Sequence, residues 1–290
     1  MGKRALLNIW LVVALAVLVW VVWQEPGHPP KPAAVKLTGL TPASIDKVVI
    51  TNRHGAIRLD KQDGEWRITE PVKVAANPAR VDSLLQVAEA ESVSRFPAAG
   101  KDLSAFGLAK PAVSLRLNDS ELVFGGVAPV DQRRYVRVGD TIHLIADRYS
   151  FALTADAAAW VSRDLVPKGA DIIALELPDA KLSRSGKGAW TVTPAGKKIS
   201  QDVVQAVIKA WHEAQALRVA PYDKRPAHGK VVIRLKDGQS PLQYEIITRK
   251  PELILARPEI GMQFYLETDQ VQRLLTIGKP AAAAATTDNN

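Results

Sequence analysis

From residue 5 to residue 23, near the start of the chain, the residues carry no charge and are hydrophobic except for one amide, Asn8. As a helix rising about 1.5 Å per residue, this run would extend about 28 Å, close to the thickness of the hydrocarbon core of a bilayer. Lys3 and Arg4 precede the run, and Trp20 and Trp23 lie near its far end. Basic residues before a span favour a cytoplasmic N-terminus, and tryptophan favours the membrane interface. The pattern predicts a transmembrane anchor over residues 5–23, with residues 1–4 in the cytoplasm.

A cleaved secretory signal is the alternative interpretation, because it would share the basic start and the apolar run. The end of the run offers no small-x-small cleavage site, since Val21, Trp23 and Pro26 are poor residues for one. We therefore expect a single-pass protein of the inner (plasma) membrane, held in the lipid bilayer by residues 5–23, whose main body is periplasmic.

Two low-complexity segments flank the main body. Residues 24–36 are rich in proline, which favours extended polyproline geometry, and predict a semi-rigid stalk. Residues 279–290 combine an alanine run with a polar end and have no amphipathic pattern, so we expect a disordered tail.

Between these segments, apolar and polar residues alternate as in half-buried strands, and the arrangement occurs twice. In the first module (residues 37–167), strands are predicted at residues 48–50 and 56–59, followed by Trp66. In the second module (residues 168–278), strands are predicted at residues 172–177 and 180–182, followed by Trp190. Both tryptophans are interpreted as core residues.

Each module continues into a helix with a good N-cap, Asn77 before Pro78 in the first and Ser200 in the second. Apolar residues at helical spacing form a stripe in each helix. The stripes are Val81, Leu84, Leu85 and Ala88, and then Val204, Val207, Ile208 and Trp211. Caps and stripes share one offset of 123 residues. We expect an α+β fold, with an N-terminal single transmembrane helix followed by two tandem modules of mostly antiparallel sheet with a packed helix.

The composition limits the kinds of chemical site and partner that the protein can have. The 290 residues include 38 Lys+Arg and 30 Asp+Glu, which gives a formal net charge of +8, and no cysteine. The absence of cysteine from the sequence excludes disulfides, thiolate nucleophiles and cysteine-ligated zinc. The basic residues are scattered along the chain and are not interleaved with aromatics, so we expect no nucleic acid partner.

The candidate catalytic motifs are weak, and we assign no catalytic, cofactor-binding or metal-ligating residue. His28, His54, His143, His212 and His228 lie far apart, without the i, i+4 spacing of a zinc site. Ser44 and Lys47 have the Ser-x-x-Lys spacing of penicillin-recognising enzymes, but no companion motif.

Glycine, lysine and aspartate recur in other short patterns. The Gly-Lys sequences at residues 186–188 and 196–198 lack the full phosphate-loop frame, and we place them in hairpins or connections. The pairs Asp119/Asp237 and Asp147/Asp269 occupy matching places in the two modules. Aspartate at the end of a strand usually begins a turn, which is the interpretation we adopt.

An ordered set of motifs resembles a known family. The set comprises "DGEWRIT", Phe106-Gly107-Leu108-Ala109-Lys110-Pro111, the strand pair from Arg116 to Gly125, Tyr135-Val136 and Arg163-Asp164-Leu165. It is similar to the domain-of-unknown-function family numbered 4340, over roughly residues 45–275. The resemblance implies a membrane-anchored envelope protein, often encoded beside ABC transporters of the gliding-motility type. The family has no established catalytic residues to carry over.

Three functions follow as hypotheses. The first is a non-catalytic accessory protein that binds an envelope protein partner, such as an ABC transporter, and needs no cofactor. The second is a periplasmic module that binds polysaccharide or lipid headgroups through its basic surface. The third is an uncharacterised hydrolase, which a cleft with converging polar side chains between the modules would favour.

Overall fold

The computed structural model describes residues 2, 10, 12–17, 19–20, 35–129, 132–186, 188–194, 199–236, 238 and 240–278. Two large sheets follow one another along the chain, and all their strand pairs are antiparallel. The strands of the first half are β1 (Val35–Lys36), β2 (Lys47–Asn52), β3 (Gly55–Gln62), β4 (Glu65–Glu70), β5 (Val74–Ala75), β6 (Glu91–Ser92), β7 (Ser94–Pro97), β8 (Val113–Leu117), β9 (Ser120–Val127), β10 (Arg133–Val138) and β11 (Thr141–Ala146).

The second half has eight strands among its described residues. They are β12 (Ile172–Leu177), β13 (Ala180–Arg184), β14 (Trp190–Thr193), β15 (Arg218–Pro221), β16 (Lys230–Leu235), β17 (Leu242–Thr248), β18 (Leu253–Arg257) and β19 (Met262–Leu266).

The two sheets share one strand order. The first sheet runs β5-β4-β3-β2-β8-β9-β10-β11-β7, and the second runs β14-β13-β12-β16-β17-β18-β19-β15. The two orders correspond strand for strand, except that the first sheet has one additional strand, β5, at one end. The strands β1 and β6 form a separate two-stranded pair beside the first sheet.

The helices are short. The α-helices named here are α1 (Pro78–Leu85), α2 (Ser150–Leu153), α3 (Gln201–Glu213) and α4 (Gln270–Leu275). The 3-10 helices are Pro42–Ser44, Gln86–Glu89, Leu103–Phe106, Ala157–Trp160 and Pro258–Ile260. Asn77 caps α1 by accepting the Arg80 N–H at 3.3 Å, and Ser200 caps α3 by accepting the Val203 N–H at 3.4 Å. Both predicted caps are therefore confirmed.

Most buried side chains of the two sheets form one continuous core, and two smaller clusters are separate from it. Both predicted helical stripes are buried in it, and Trp66 and Trp190 are only 7% and 4% exposed, as predicted for core residues. Helix α1 ends three residues before Ala88, which is buried instead from the 3-10 helix Gln86–Glu89. Each large side chain buried in this way contributes about 1.5–3 kcal/mol relative to its exposed state.

The expected fold class is wrong. The chain is dominated by antiparallel sheet and has few helices, because each helix covers only part of one sheet face and the strands build most of the core. In the part of the chain that the structure describes, no helix is long and apolar enough to span a membrane, so the predicted transmembrane helix is not supported. The longest of the helices named above, α3, has 13 residues and carries Lys209, His212 and Glu213 in its last turns.

The predicted segments at the chain ends are covered only in part. Within the predicted span over residues 5–23, the described residues are 10, 12–17 and 19–20, which are helical. The predicted stalk is described only from residue 35, and the predicted tail, residues 279–290, lies outside the described residues.

Candidate functional site

A cleft of about 970 Å³ lies between the two sheets. On the side of the first sheet it is bounded by β4, β5 and the N-terminal part of α1. On the side of the second sheet it is bounded by the segment before β12, by the start of β17 and by the end of β18. Both halves of the chain are needed to form it.

The wall between the two halves is a segment that we call the connector, residues 160–170. Its first part extends the first sheet beyond β5, where the Ser162 N–H donates to the Ala75 carbonyl at 2.9 Å and the Asn77 N–H donates to the Trp160 carbonyl at 2.7 Å. Its next part pairs with the residues after α3. There the Leu165 N–H donates to the Ala214 carbonyl at 3.2 Å. The connector thereby holds the two sheets at a fixed separation.

A buried tyrosine fastens the connector to the second sheet. The Tyr244 hydroxyl, on β17, donates to the Leu165 carbonyl, and both residues are 1% exposed. Burial raises the pKa of Tyr244 to about 12, so the hydroxyl remains a donor at neutral pH. The Arg257 guanidinium lies 5.6 Å from the centre of the same ring and reaches the cleft.

The cleft has an apolar floor and a charged rim. Its floor includes the buried side chains Trp66, Leu85, Val161, Leu165 and Phe264. Its rim has five cationic and three carboxylate side chains. The cations are Lys61, Arg67, Lys73, Lys168 and Arg257, and the carboxylates are Glu65, Asp82 and Asp164.

The rim cations are largely uncompensated. Arg257 forms an ion pair with Glu259 at 2.7 Å. Lys61, Arg67, Lys73 and Lys168 form no ion pair with any carboxylate of the described residues. The cleft is therefore positively charged around an apolar floor.

The polar groups at the connector are engaged in local structure. The Ser162 hydroxyl donates to the Asp164 carboxylate at 3.2 Å and accepts the Asp164 N–H at the same distance. The second carboxylate oxygen of Asp164 accepts from the Gln215 side chain at 2.7 Å. These hydrogen bonds close a turn and link the connector to Gln215. The polar atoms of Ser162 and Asp164 therefore stabilise the connector.

Ser44 and Lys47 do not share a helix. Ser44 ends the 3-10 helix Pro42–Ser44, where its hydroxyl donates to the Thr41 carbonyl at 2.8 Å, and Lys47 begins β2. A Ser-x-x-Lys site needs the lysine one helical turn from the serine. The spacing here is accounted for by a helix end followed by a strand.

The recurring aspartates serve different local roles. Asp147 accepts hydrogen bonds from Arg134 at 2.8 Å and from the Ser150 hydroxyl. Partial burial opposes ionisation of Asp147, but these hydrogen bonds outweigh it and lower the pKa of the carboxyl. Asp269 precedes α4, and Asp119 is exposed in the turn between β8 and β9. Asp237 lies outside the described residues.

The histidines that the structure describes have separate surroundings. His143 is buried beside Ser92, with 3.1 Å between its Nδ1 and the hydroxyl oxygen, and burial lowers the pKa of its imidazole. His54 contacts Arg53, and His212 and His228 lie on the second half. His28 lies outside the described residues, among which no cluster of three or more potential metal-ligating side chains occurs.

The Gly-Lys sequence at residues 186–188 falls in the hairpin between β13 and β14, as predicted, where the Gly188 N–H donates to the Ser185 carbonyl at 2.8 Å. Lys187 and residues 195–198 lie outside the described residues.

Sequence reasoning missed the cleft itself, because the lysines of the cleft are dispersed along the chain and resemble those of an ordinary solvated surface. The local signal near the cleft is the proline and the glycine at positions 167 and 169, which stand where the two predicted modules meet.

The motifs that carried the family resemblance have clear places in this structure. Gly107 and Gly125 meet where the segment before β8 crosses β9, and Arg163, Asp164 and Leu165 form the middle of the connector. The family model described as Domain of unknown function (DUF4340) matches residues 66–229, more than half of the chain. The chain belongs to this family. The resemblance to DUF4340 is thus confirmed. No curated protein and no solved structure matches the chain.

Proposed function

We propose that this DUF4340 protein is a non-catalytic binding protein that holds a segment of a partner protein in the cleft between its two sheets. The observation that carries the proposal is the apolar floor of the cleft and its rim of five cations and three carboxylates, where four of the cations form no ion pair within the described residues. Interfaces commonly bury apolar side chains at their centre and place polar groups at the rim. The expected partner segment has apolar side chains flanked by acidic ones.

The spread of the charges favours a polypeptide over a small molecule. Sites for small molecules use a few polar groups that converge on one point. Here the cations come from β3, β4, the residue before β5, the connector and β18. An extended acidic segment matches such a distribution, and complementary charge would speed its association.

Site-specific photocrosslinking in living cells tests the proposal. A photoreactive amino acid replaces Gln86, an exposed residue that lines the cleft, and in a matched control it replaces Gln205, an exposed glutamine of α3 outside the cleft. We expect a protein adduct at position 86 whose crosslinked peptide contains acidic residues. The first partner to look for is the envelope protein implied by the family resemblance, such as an ABC transporter subunit.

Charge reversal gives the decisive comparison. The double variant Lys73→Glu, Lys168→Glu should reduce the adduct on the order of tenfold, because reversing two rim charges costs binding about 1–2 kcal/mol. The variant Lys101→Glu, Lys110→Glu changes the same charge on exposed residues outside the cleft and should leave the adduct intact. Equal adducts at positions 86 and 205, or equal loss in both double variants, would overturn the proposal. An adduct that carries glycan or lipid in place of protein would favour the headgroup- and polysaccharide-binding alternative.

A further inference from the structure

A second, smaller pocket of about 440 Å³ lies away from the cleft, between two loops of the second half. One loop is the connection between β15 and β16, and the other is the turn between β17 and β18. The pocket is lined by Arg225, Pro226, His228, Ile247, Thr248 and Arg249. Two guanidinium groups and an imidazole thus share one pocket, and its described lining contains no carboxylate.

Backbone and side-chain contacts hold the first arginine in place. Asp223 accepts the Arg225 Nε–H at 2.8 Å and the Arg225 backbone N–H at 3.3 Å. The Tyr222 hydroxyl lies 3.1 Å from the Arg225 carbonyl oxygen and 3.1 Å from the Glu245 carboxylate, and its one proton is shared between these two acceptors. The hydrogen bond from Arg225 lowers the pKa of Asp223, which keeps the carboxylate ionised. Asp223 engages Nε, and the two terminal nitrogens of Arg225 make no hydrogen bond within the described residues, so they are open to a ligand there.

The backbone that carries the other two basic residues is also held by hydrogen bonds. The His228 N–H donates to the Ile246 carbonyl at 2.7 Å, which fastens its loop to β17. Beside Arg249, the Thr248 hydroxyl donates to the Lys250 carbonyl at 2.6 Å and accepts the Lys250 N–H at 3.2 Å. Arg249 forms no ion pair with a described carboxylate. Such preorganisation lowers the entropic cost of binding.

We propose that this pocket binds the phosphate group of a phosphate monoester. Guanidinium groups donate paired hydrogen bonds to phosphate oxygens, and the imidazole supplies a further donor. Three donor side chains exceed what the two oxygens of a carboxylate require, whereas a phosphate monoester presents three terminal oxygens. The pocket is larger than a phosphate group, and Pro226 and Ile247 offer apolar contact to the group that the phosphate carries.

Calorimetric titration of the purified full-length chain tests this site. The ligands are inorganic phosphate and glycerol 3-phosphate, and the matched variants are Arg249→Gln in the pocket and Arg273→Gln on α4, outside it. We expect Arg249→Gln to weaken binding of both ligands on the order of tenfold or more, because it removes a charge-assisted contact. Arg273→Gln should leave the affinity unchanged, and both variants should keep the melting temperature of the parent protein.

A second arm of the experiment distinguishes a lipid headgroup from a soluble ester as the source of the phosphate. Flotation with phosphatidylcholine vesicles, with and without phosphatidic acid, tests a lipid headgroup, and glycerol 3-phosphate tests a soluble ester. Binding that depends on Arg249 in either arm supports the site and identifies its source. Absence of binding in both arms would overturn the proposal, as would equal weakening by Arg249→Gln and Arg273→Gln. Neither variant touches the cleft, so this result is independent of the proposed partner binding.

Discussion

Apart from β5, the two sheets have the same strand order, but the connections that cover their outer faces differ in length and polarity. In the first half, the long connection between β7 and β8 lays apolar side chains on the sheet, and the ring of Phe106 lies 5.4 Å from that of Phe96 and 5.0 Å from that of Tyr135. In the second half, the shorter connection between β15 and β16 combines two kinds of contact: the Tyr222 ring packs against the buried side chains Ile247, Ile254 and Ala256, and its hydroxyl lies 3.1 Å from the Glu245 carboxylate.

One pair of matching positions shows the difference. Phe124 pairs with a valine of β8, and Tyr244 pairs with a valine of β16; each valine lies four residues before the leucine that ends its strand. Phe124 and Tyr244 therefore occupy corresponding positions. The residues that follow them, Gly125 and Glu245, correspond as well. A Cβ on Gly125 would lie 2.3 Å from the Phe106 carbonyl oxygen, whereas Glu245 presents a carboxylate to a loop.

Connections vary more freely than the strands that they join. The comparison teaches that one outer face is covered by close backbone and side-chain packing, while the other combines a smaller apolar cluster with polar groups.

The largest effect is expected where the first outer face is sealed. In Gly125→Ala, the new methyl group would meet the Phe106 carbonyl oxygen and, at 2.9 Å, two side-chain carbons of Leu108. Overpacking of this kind costs about 1–3 kcal/mol, and we expect the upper end because the nearest atom belongs to the backbone. Chemical denaturation with urea measures the loss in the free energy of unfolding.

Gly126→Ala is the matched control on the same strand. Its Cβ would approach Phe106 no closer than 3.5 Å, which is ordinary van der Waals contact. We expect its free energy of unfolding to stay within about 0.5 kcal/mol of the parent value. Equal destabilisation by both substitutions would show that close approach of the Phe106 backbone does not explain the glycine at position 125.

The next effect concerns the bond that fastens the connector. Tyr244→Phe gives the second sheet the residue that the first sheet has at the corresponding position, Phe124. It leaves the buried Leu165 carbonyl without its donor, which costs about 1–3 kcal/mol. Tyr135→Phe removes a hydroxyl that makes no hydrogen bond within the described residues and serves as the control.

Alkaline pH sharpens the same test. The pKa of Tyr244 is about 12 in the folded protein, above the usual value near 10, so the folded state holds this proton more tightly than the unfolded state. Its contribution is fully present below about pH 10 and declines as the pH rises toward 12. Between pH 9 and 11, the parent protein should therefore lose more stability than Tyr244→Phe. Parallel pH profiles for the two proteins would contradict this role of Tyr244.

The sequence patterns predicted the structural features that depend on residues close together in the chain. The caps at Asn77 and Ser200 and the buried stripe through Trp211 follow from spacing within one helix, and the structure confirms them. The cleft depends on residues far apart in sequence, such as Ala75 and Ser162, whose backbone pairing no periodicity encodes. The predicted α+β class was wrong because antiparallel sheet dominates the chain and its helices are few, and because the transmembrane helix that it included is not supported within the described residues.

The smallest effect is expected at the edges of the two sheets. In the first sheet, β4 is covered by β5 and then by the connector, whereas β14 ends the second sheet. There the Gln201 side chain accepts the Trp190 N–H at 3.2 Å and donates to the Trp190 carbonyl at 2.9 Å, in place of a neighbouring strand.

Gln201→Ala should cost about 1 kcal/mol and leave an open strand edge, which promotes pairing between molecules. Urea denaturation and sedimentation velocity measure the two consequences, with Gln205→Ala, an exposed glutamine on the same helix, as the control. If Gln201→Ala sediments like the parent protein and is as stable as Gln205→Ala, the side chain does not protect this edge, and the second sheet tolerates an open edge that the first sheet covers.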